Sequence, residues 1–481
     1  MAKLGFHLIA KYKSAPITVR AAFWFTVCGF ISQAVSFITT PIFTRLMTSD
    51  EYGVWTLYTT WSSVITVIVT LNLQGGGFNN AMLKYEGKRA SFLSSMVGLA
   101  VLMCAIWAVI FYIFRWILVK VTRLPFNYLL IMLGLMLLNQ ISALWSQEKR
   151  YSYNYRPLVL ITAISSVLVP IVAVLFVLRS DDKVFGRLTG NLLVAMIFNC
   201  TIGAIIVFKG KTVFNKEYWR FALKFNIPLV PHYLSQIALA SSDRIMISNM
   251  CGESYAAYYG ISYNIATVIT ILLHSVLAAL IPWTYQKLKE QQYWEIPKIE
   301  NALALMFATL ALIPILIGPE VVAIMAPKEY QVAVWVIPPV SSSVYFVFLY
   351  GIYSNIEFYY EEKKLVAVGS IATAILNIAL NFVFIRRFGF IAAGYTTLAC
   401  YVIYSVCHFL FTKRVLSKRN IHAGVFDHWV LLLIGIGVIV VGIGSNLLYL
   451  NRLVRYVFLV LLLIAGFLKR RKIMDTLRTV R

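Results

Sequence analysis

The sequence predicts an all-α, polytopic integral membrane protein of about 14 transmembrane helices, arranged as two parallel six-helix repeats plus two C-terminal helices. Three observations predict it. The 481 residues are 60% hydrophobic with a mean hydropathy of +0.78. Charged residues make up 13%, against roughly 25% in a soluble domain. Apolar runs of the ~20 residues needed to cross a bilayer recur along the whole chain.

Six spans near 18–43, 53–74, 91–114, 127–147, 157–178 and 188–208 form an N-terminal bundle, 18–208, behind a cytoplasmic segment, 1–17. A cytoplasmic linker, 209–225, leads to a second bundle, 226–412, with spans near 226–250, 255–281, 301–318, 332–358, 365–385 and 389–412. Two plainer spans near 429–450 and 454–468 belong to a last segment, 413–481, which ends in a basic cytoplasmic tail. The basic N-terminal stretch runs into a full-length span with no small-residue cleavage pattern, so it is expected to be retained.

A formal charge of +24 would point to nucleic acid in a soluble chain. Here the basic residues sit in short segments between apolar runs, as topology signals do, which excludes that reading. Most of the 43 lysines and arginines fall on one side when the N terminus starts inside, so both termini are predicted to be cytoplasmic. The clusters Lys209, Lys211, Lys216, Arg220 and Lys224, and Lys469, Arg470, Arg471 and Lys472, follow from topology, and contact with anionic lipid headgroups is the secondary reading.

An internal repeat shows at a spacing of 203 positions. Ser32, Gln33, Met47, Asp50 and Tyr52 correspond to Ser235, Gln236, Met250, Glu253 and Tyr255. Six crossings separate the copies, which makes them parallel, and in transporters so built the substrate site lies between the halves.

The seventh span holds the charges that need explaining. Intramembrane charge costs at least ~2.5 to 3.5 kcal/mol and marks a polar cavity or a partner. His232, Ser235, Gln236, Ser242 and Asp243 share one helix side, and Arg244 points about a third of a turn away. Adjacent helical residues do not face each other, so Arg244 is available for bidentate contact with a polyanion or for an inter-helix salt bridge. Asp243 is a candidate for ion or proton coupling.

On span eight, Tyr259, Tyr263, Thr267, Thr270 and His274 recur at helical spacing. Tyr259, Tyr263 and Thr267 are candidates for stacking on and hydrogen bonding to sugars, and His274 is a candidate titrating group; ordinary interhelical packing and an interfacial belt of Tyr255, Tyr258 and Tyr259 compete with that reading. Ser370, Thr373, Asn377 and Asn381 repeat the pattern on span eleven, as Thr59, Ser62, Thr66 and Thr70 do on span two, for cavity lining or helix association. Gln236 and Asn377 stand among the substrate-binding candidates. Pro228 and Pro231 predict a kink at the inner end of span seven. Arg45 is a further substrate-binding candidate, although charged helix ends snorkel, and Glu357 is expected to anchor at the interface. Asp243 reads as the one carboxylate well inside a span.

No phosphate-binding loop, HExxH or GxSxG occurs, and the six cysteines lack CxxC spacing. Neither cofactor nor metal is expected, and the chain is read as no enzyme.

The stretches TPIFTRLMTSDEYGVWTLY, LNLQGGGFNNAMLKYEGKR, SSDRIMISNMCGESYAAYYGISYNIA and LNIALNFVFIRRFGFIAAGYTTLACY resemble the Wzx-like oligosaccharide flippase family, within the MATE-type transporter superfamily. The likeness covers roughly residues 16 to 415. It departs at Ala256, Ala257 and Gly260, and where Arg386 and Arg387 lengthen a turn. The resemblance implies a V-shaped bundle with a cationic cavity in the bacterial cytoplasmic membrane. It implies alternating access that moves an undecaprenyl-pyrophosphate-linked oligosaccharide outward for O-antigen, capsule or exopolysaccharide synthesis, with a polymerase and chain-length machinery as partners. Arg244, in a family-like Asp-Arg step, would meet the pyrophosphate or a charged sugar. Two alternatives stand beside it: a MATE-type antiporter of small cationic compounds, and a membrane-embedded polymerase or glycosyltransferase, for which Asp181 and Asp182 offer too little acid/base chemistry.

Overall fold

The computed structural model describes residues 17–464 apart from 76, 422, 423 and 463. The expected N-terminal segment up to residue 16, the basic cluster Lys469 to Lys472 and the end of the last expected span lie outside the described residues.

The chain divides into two compact units, residues 1–234 and 235–481. The first contains α1 (Ile17–Leu46), α2 (Ser49–Thr70), the short α3 (Phe78–Lys84), α4 (Arg89–Ile113), α5 (Arg115–Thr122), α6 (Phe126–Tyr151), α7 (Tyr155–Arg179) and α8 (Lys183–Gly210). It also contains α9 (Lys216–Asn226). Side-chain caps start several of these. Thr48 and Glu51 form a reciprocal capping box before α2. Asp182 accepts the Phe185 amide before α8, and Asn215 accepts the Tyr218 amide before α9. α4, α6 and α8 pack on one another around Phe92, Met96, Leu99, Ile141, Leu144 and Ile206.

The second unit takes over within α10 (Val230–Met250) and continues through α11 (Glu253–Ala266), α12 (Thr270–Lys289), α13 (Ile296–Met325), α14 (Ile337–Tyr359), α15 (Lys363–Phe388), α16 (Ala392–Ser417) and α17 (His428–Gly444). α14 is its axis and packs against α13, α16 and α17. Phe307, Tyr345, Phe348, Ile352 and Val438 form the core there. Polar side chains on α14 are spent on neighbouring backbone: Ser341 donates to the Ala311 carbonyl at 2.6 Å and Tyr345 to the Leu431 carbonyl at 2.7 Å.

In each unit the first repeat helix is joined to a later helix by a serine–serine hydrogen bond. Ser32 on α1 bonds Ser166 on α7 at 3.0 Å, and Ser235 on α10 bonds Ser370 on α15 at 3.4 Å. The other repeated residues mark the turn into the next helix: Met47 and Met250 lie at the end of the first, and Asp50 and Glu253 in the first turn of the second.

Three expectations are revised. Among the described residues ten helices are long and apolar enough to cross a membrane, or eleven if α11 and α12, bent by 44°, make one span. Length and apolarity therefore stop short of fourteen. α2 opens with Asp50 and Glu51 and carries hydroxyls, α10 holds His232, Asp243 and Arg244, and span 454–468 is described only in part. Residues 209–225 are no plain linker, because α9 docks on the first unit through buried Tyr218 and Ala222 and reaches α10 through a 3-10 turn at Pro228. Finally, the stripe expected along span eight is broken. The chain leaves the helix at Thr267, whose hydroxyl turns back to the Tyr263 carbonyl while the Thr270 amide bonds the Thr267 carbonyl, so Thr270 and His274 belong to a separate helix.

Candidate functional site

The charged pair of α10 separates as its spacing requires. Asp243 is 1% exposed; its Oδ1 accepts the Arg244 amide at 2.8 Å, and its Oδ2 accepts the hydroxyl of Tyr259 from α11. Gly252, at φ +117°, makes the tight turn that returns α11 beside α10. Tyr259 is fully buried, so its hydroxyl holds Asp243.

Arg244 is half-buried. Its guanidinium lies 4.6 Å from the Tyr263 ring centroid, and its Nη1 donates to Ser241 Oγ at 3.3 Å. Among the described residues no carboxylate forms an ion pair with it. A guanidinium stacked on a π face keeps donors for an incoming anion.

The first unit contains a counterpart that the sequence reading passed over. Arg187, in the second turn of α8, stacks on Phe43 at 3.7 Å and Trp55 at 3.8 Å, again with no ion-paired carboxylate among the described residues. It opens onto a cavity of about 340 Å³ lined by hydroxyls of Ser32, Ser36, Thr39, Ser165 and Ser166 and by Asn191. Arg187 lies one residue outside span six, beyond the reach of a span-by-span search for intramembrane charge. The signal that could have found it is the one-turn spacing of Arg187 and Asn191 on a single helix face.

The remaining candidates scatter. Asn377 is fully buried, accepts from Ser242 at 3.3 Å and from Asn381 at 3.1 Å, and Asn381 in turn accepts from Thr396. That chain ties α10, α15 and α16 together and joins Asn377 to the Asp243 neighbourhood. Ser370 and Thr373 are buried on the same helix. On α2, Thr59, Thr66 and Thr70 donate to carbonyls three or four residues back. Gln236 is exposed on α10, and exposed Arg45 donates to the Pro41 carbonyl at 2.9 Å. Thr267 sits at the α11 break, and His274 is exposed on α12, apart from Asp243 in the contacts formed.

Glu357 overturns its expectation. It is fully buried rather than anchored at an interface: both carboxylate oxygens lie 2.9 Å from His408 Nδ1, and Thr412 donates to one at 3.2 Å. Glu300, 1% exposed, is a further buried carboxylate, so Asp243 does not stand alone. Asp182, weighed above as an acid/base group, caps α8 and accepts from Tyr128.

Residues 18–287 match the family model described as polysaccharide biosynthesis protein. Lsg locus putative protein 1 of Haemophilus influenzae is 25% identical over 370 residues, 72% of this chain and 86% of that protein. In fold the chain is similar to the lipid II flippase MurJ in an inward closed conformation, with a TM-score of 0.61 and 15% identity over 93% of this chain and 99% of that one. It is similar also to a MOP superfamily transporter from Pyrococcus furiosus, with a TM-score of 0.59 and 12% identity over 85% and 97% of the two chains. An inward-facing multidrug resistance MATE family transporter gives a TM-score of 0.60 and 12% identity over 81% and 96%. At these identities the structural likeness is one of fold. The solved proteins that share this fold are transporters and a flippase. With its match extending over more than half its length, and its helices long and apolar enough to span a bilayer many times, this chain belongs to the polysaccharide biosynthesis protein family of multi-pass membrane proteins.

Proposed function

We propose that the protein is a flippase that carries an undecaprenyl-pyrophosphate-linked oligosaccharide across the bacterial cytoplasmic membrane by alternating access, for cell-surface polysaccharide synthesis. The observation that carries this reading is the pair of aromatic-stacked arginines, Arg187 and Arg244, neither balanced by an ion-paired carboxylate among the described residues. Unpaired guanidinium groups on membrane helices suit an anionic cargo and disfavour a cationic one. Family membership and the fold shared with a lipid II flippase support the same class of substrate. Both termini lie in the cytoplasm in this reading, and a polymerase with its chain-length machinery consumes the product outside. Asp243 and His274 are its proposed coupling groups, and Arg45, Gln236, Tyr259, Tyr263, Thr267 and Asn377 line or support the path.

Reconstitution with a labelled lipid-linked oligosaccharide tests it. A charge-assisted hydrogen bond contributes about 1.5 to 3 kcal/mol, so Arg244→Ala and Arg187→Ala should each slow flipping roughly tenfold or more, with normal insertion and protein level. Unchanged flipping in both variants, or transport of small cations in place of the glycolipid, would overturn the assignment.

A further inference from the structure

α9 has two opposed faces. Tyr218, Ala222 and Asn226, one turn apart, are buried, with the Tyr218 ring 4.6 Å from Tyr85 and 5.5 Å from Phe92. Trp219 Nε1 donates to the Ser95 carbonyl at 2.9 Å and fastens the helix to α4. About 200° around from Tyr218, Lys216, Arg220 and Lys224 form an exposed stripe, again one turn apart.

The acid in the same helix does not neutralise that stripe. Glu217 is engaged by Lys84 at 3.7 Å and by the Tyr85 hydroxyl at 3.1 Å. Among the described residues none of the three cations forms an ion pair. Beside them runs an open trough of about 640 Å³ lined by Phe214, Trp219, Leu223 and Ile227. Phe214 and Ile227 are 65% and 53% exposed.

From this juxtaposition we propose that α9 is a binding site for an anionic glycerophospholipid, its phosphate held by Lys216, Arg220 and Lys224 and an acyl chain laid in the adjoining trough. A soluble anion would leave the apolar floor uncovered, and a zwitterionic lipid would leave the three charges unbalanced. Basic residues beside apolar ones on an interfacial helix bind acidic lipid by the sum of both terms. The docked face makes the platform rigid, so the cations are pre-arranged and lose little freedom on binding. The proposal stands independently of the flippase reading.

Native mass spectrometry of the full-length protein in mild detergent, titrated with phosphatidylglycerol or phosphatidylcholine, tests it. The parent should prefer phosphatidylglycerol. Each basic residue near a lipid surface contributes about fivefold, so Lys216→Gln with Arg220→Gln and Lys224→Gln should cut the preference more than tenfold. Arg386→Gln with Arg387→Gln should leave it intact. If the triple variant is not monodisperse, Arg220→Gln alone should still lower the preference about fivefold. Leu223→Glu should weaken long-chain phosphatidylglycerol more than a six-carbon analogue. A parent without preference, or stripe variants equal to it, overturns the site. Undecaprenyl phosphate displacing phosphatidylglycerol at equal concentration would assign the trough to the carrier lipid and overturn it too.

Discussion

Tyr259→Phe isolates the contact that joins α10 to α11. The two partners are 0% and 1% exposed, and the hydroxyl of Tyr259 is the donor to Asp243 Oδ2. Phenylalanine preserves the ring, which packs 5.7 Å from Tyr263, and removes only that donor. A hydrogen bond to a charged group contributes about 1.5 to 3 kcal/mol. Asp243 keeps the Arg244 amide on Oδ1, which puts the expected loss near the lower end, about 2 kcal/mol. For a unit of this size that lowers the melting temperature by roughly 4 to 8 °C. Thermal unfolding of the purified protein in mixed micelles reads the shift, and a cycle with Asp243→Asn reads the coupling, expected at about 1 to 2 kcal/mol. A change within about 0.5 kcal/mol, or a cycle that is additive within that margin, would refute the idea that this pair holds the two helices together.

Glu357→Ala leaves the buried His408 Nδ1 and the Thr412 hydroxyl without this acceptor and should cost about 1 to 3 kcal/mol, seen as reduced folded yield and earlier melting; a neutral outcome would show that the contact is not under load. Gly252→Ala places a side chain at φ +117°, a strain of about 1 to 3 kcal/mol, and its melting curve should shift while insertion stays normal. If His274 takes part in coupling, His274→Gln should flatten the dependence of flipping on pH between about 5 and 8. Identical profiles for parent and variant would make the residue structural.

The helices themselves were legible because hydropathy and caps are local properties. Apolar runs, Thr48 with Glu51, and Pro228 can be read from neighbours in the chain. The repeat was legible as five pairs of matching residues, and two of its copies, Ser32 and Ser235, each bond a serine of a later helix, Ser166 and Ser370. Two polar helices, α2 and α10, blurred the span count because their hydroxyl and charged side chains lower the hydropathy.

The candidate site was only half legible. Periodicity separated Arg244 from Asp243, as the contacts have it, since a turn of 100° per residue is independent of packing. It also put Tyr259 on a face with Tyr263, Thr267 and His274. What it lacked was the break at Thr267 and the return at Gly252 that turns Tyr259 toward Asp243. Arg187 was not legible because its aromatic partners, Phe43 and Trp55, come from two other helices. Glu357 and His408 stand 51 positions apart, and no local pattern pairs them.

By itself, the sequence determined the class of molecule: a many-span membrane chain with cations between its spans. Transfer to lipid is a sum over residues and needs no knowledge of contacts. Tertiary structure decided which charges are satisfied and which remain available. Asp243 goes to Tyr259, Glu357 to His408 and Glu217 to Lys84, whereas Arg187 and Arg244 rest on aromatic rings. Pairing depends on distances of a few ångströms between helices remote in sequence, and only packing sets those distances.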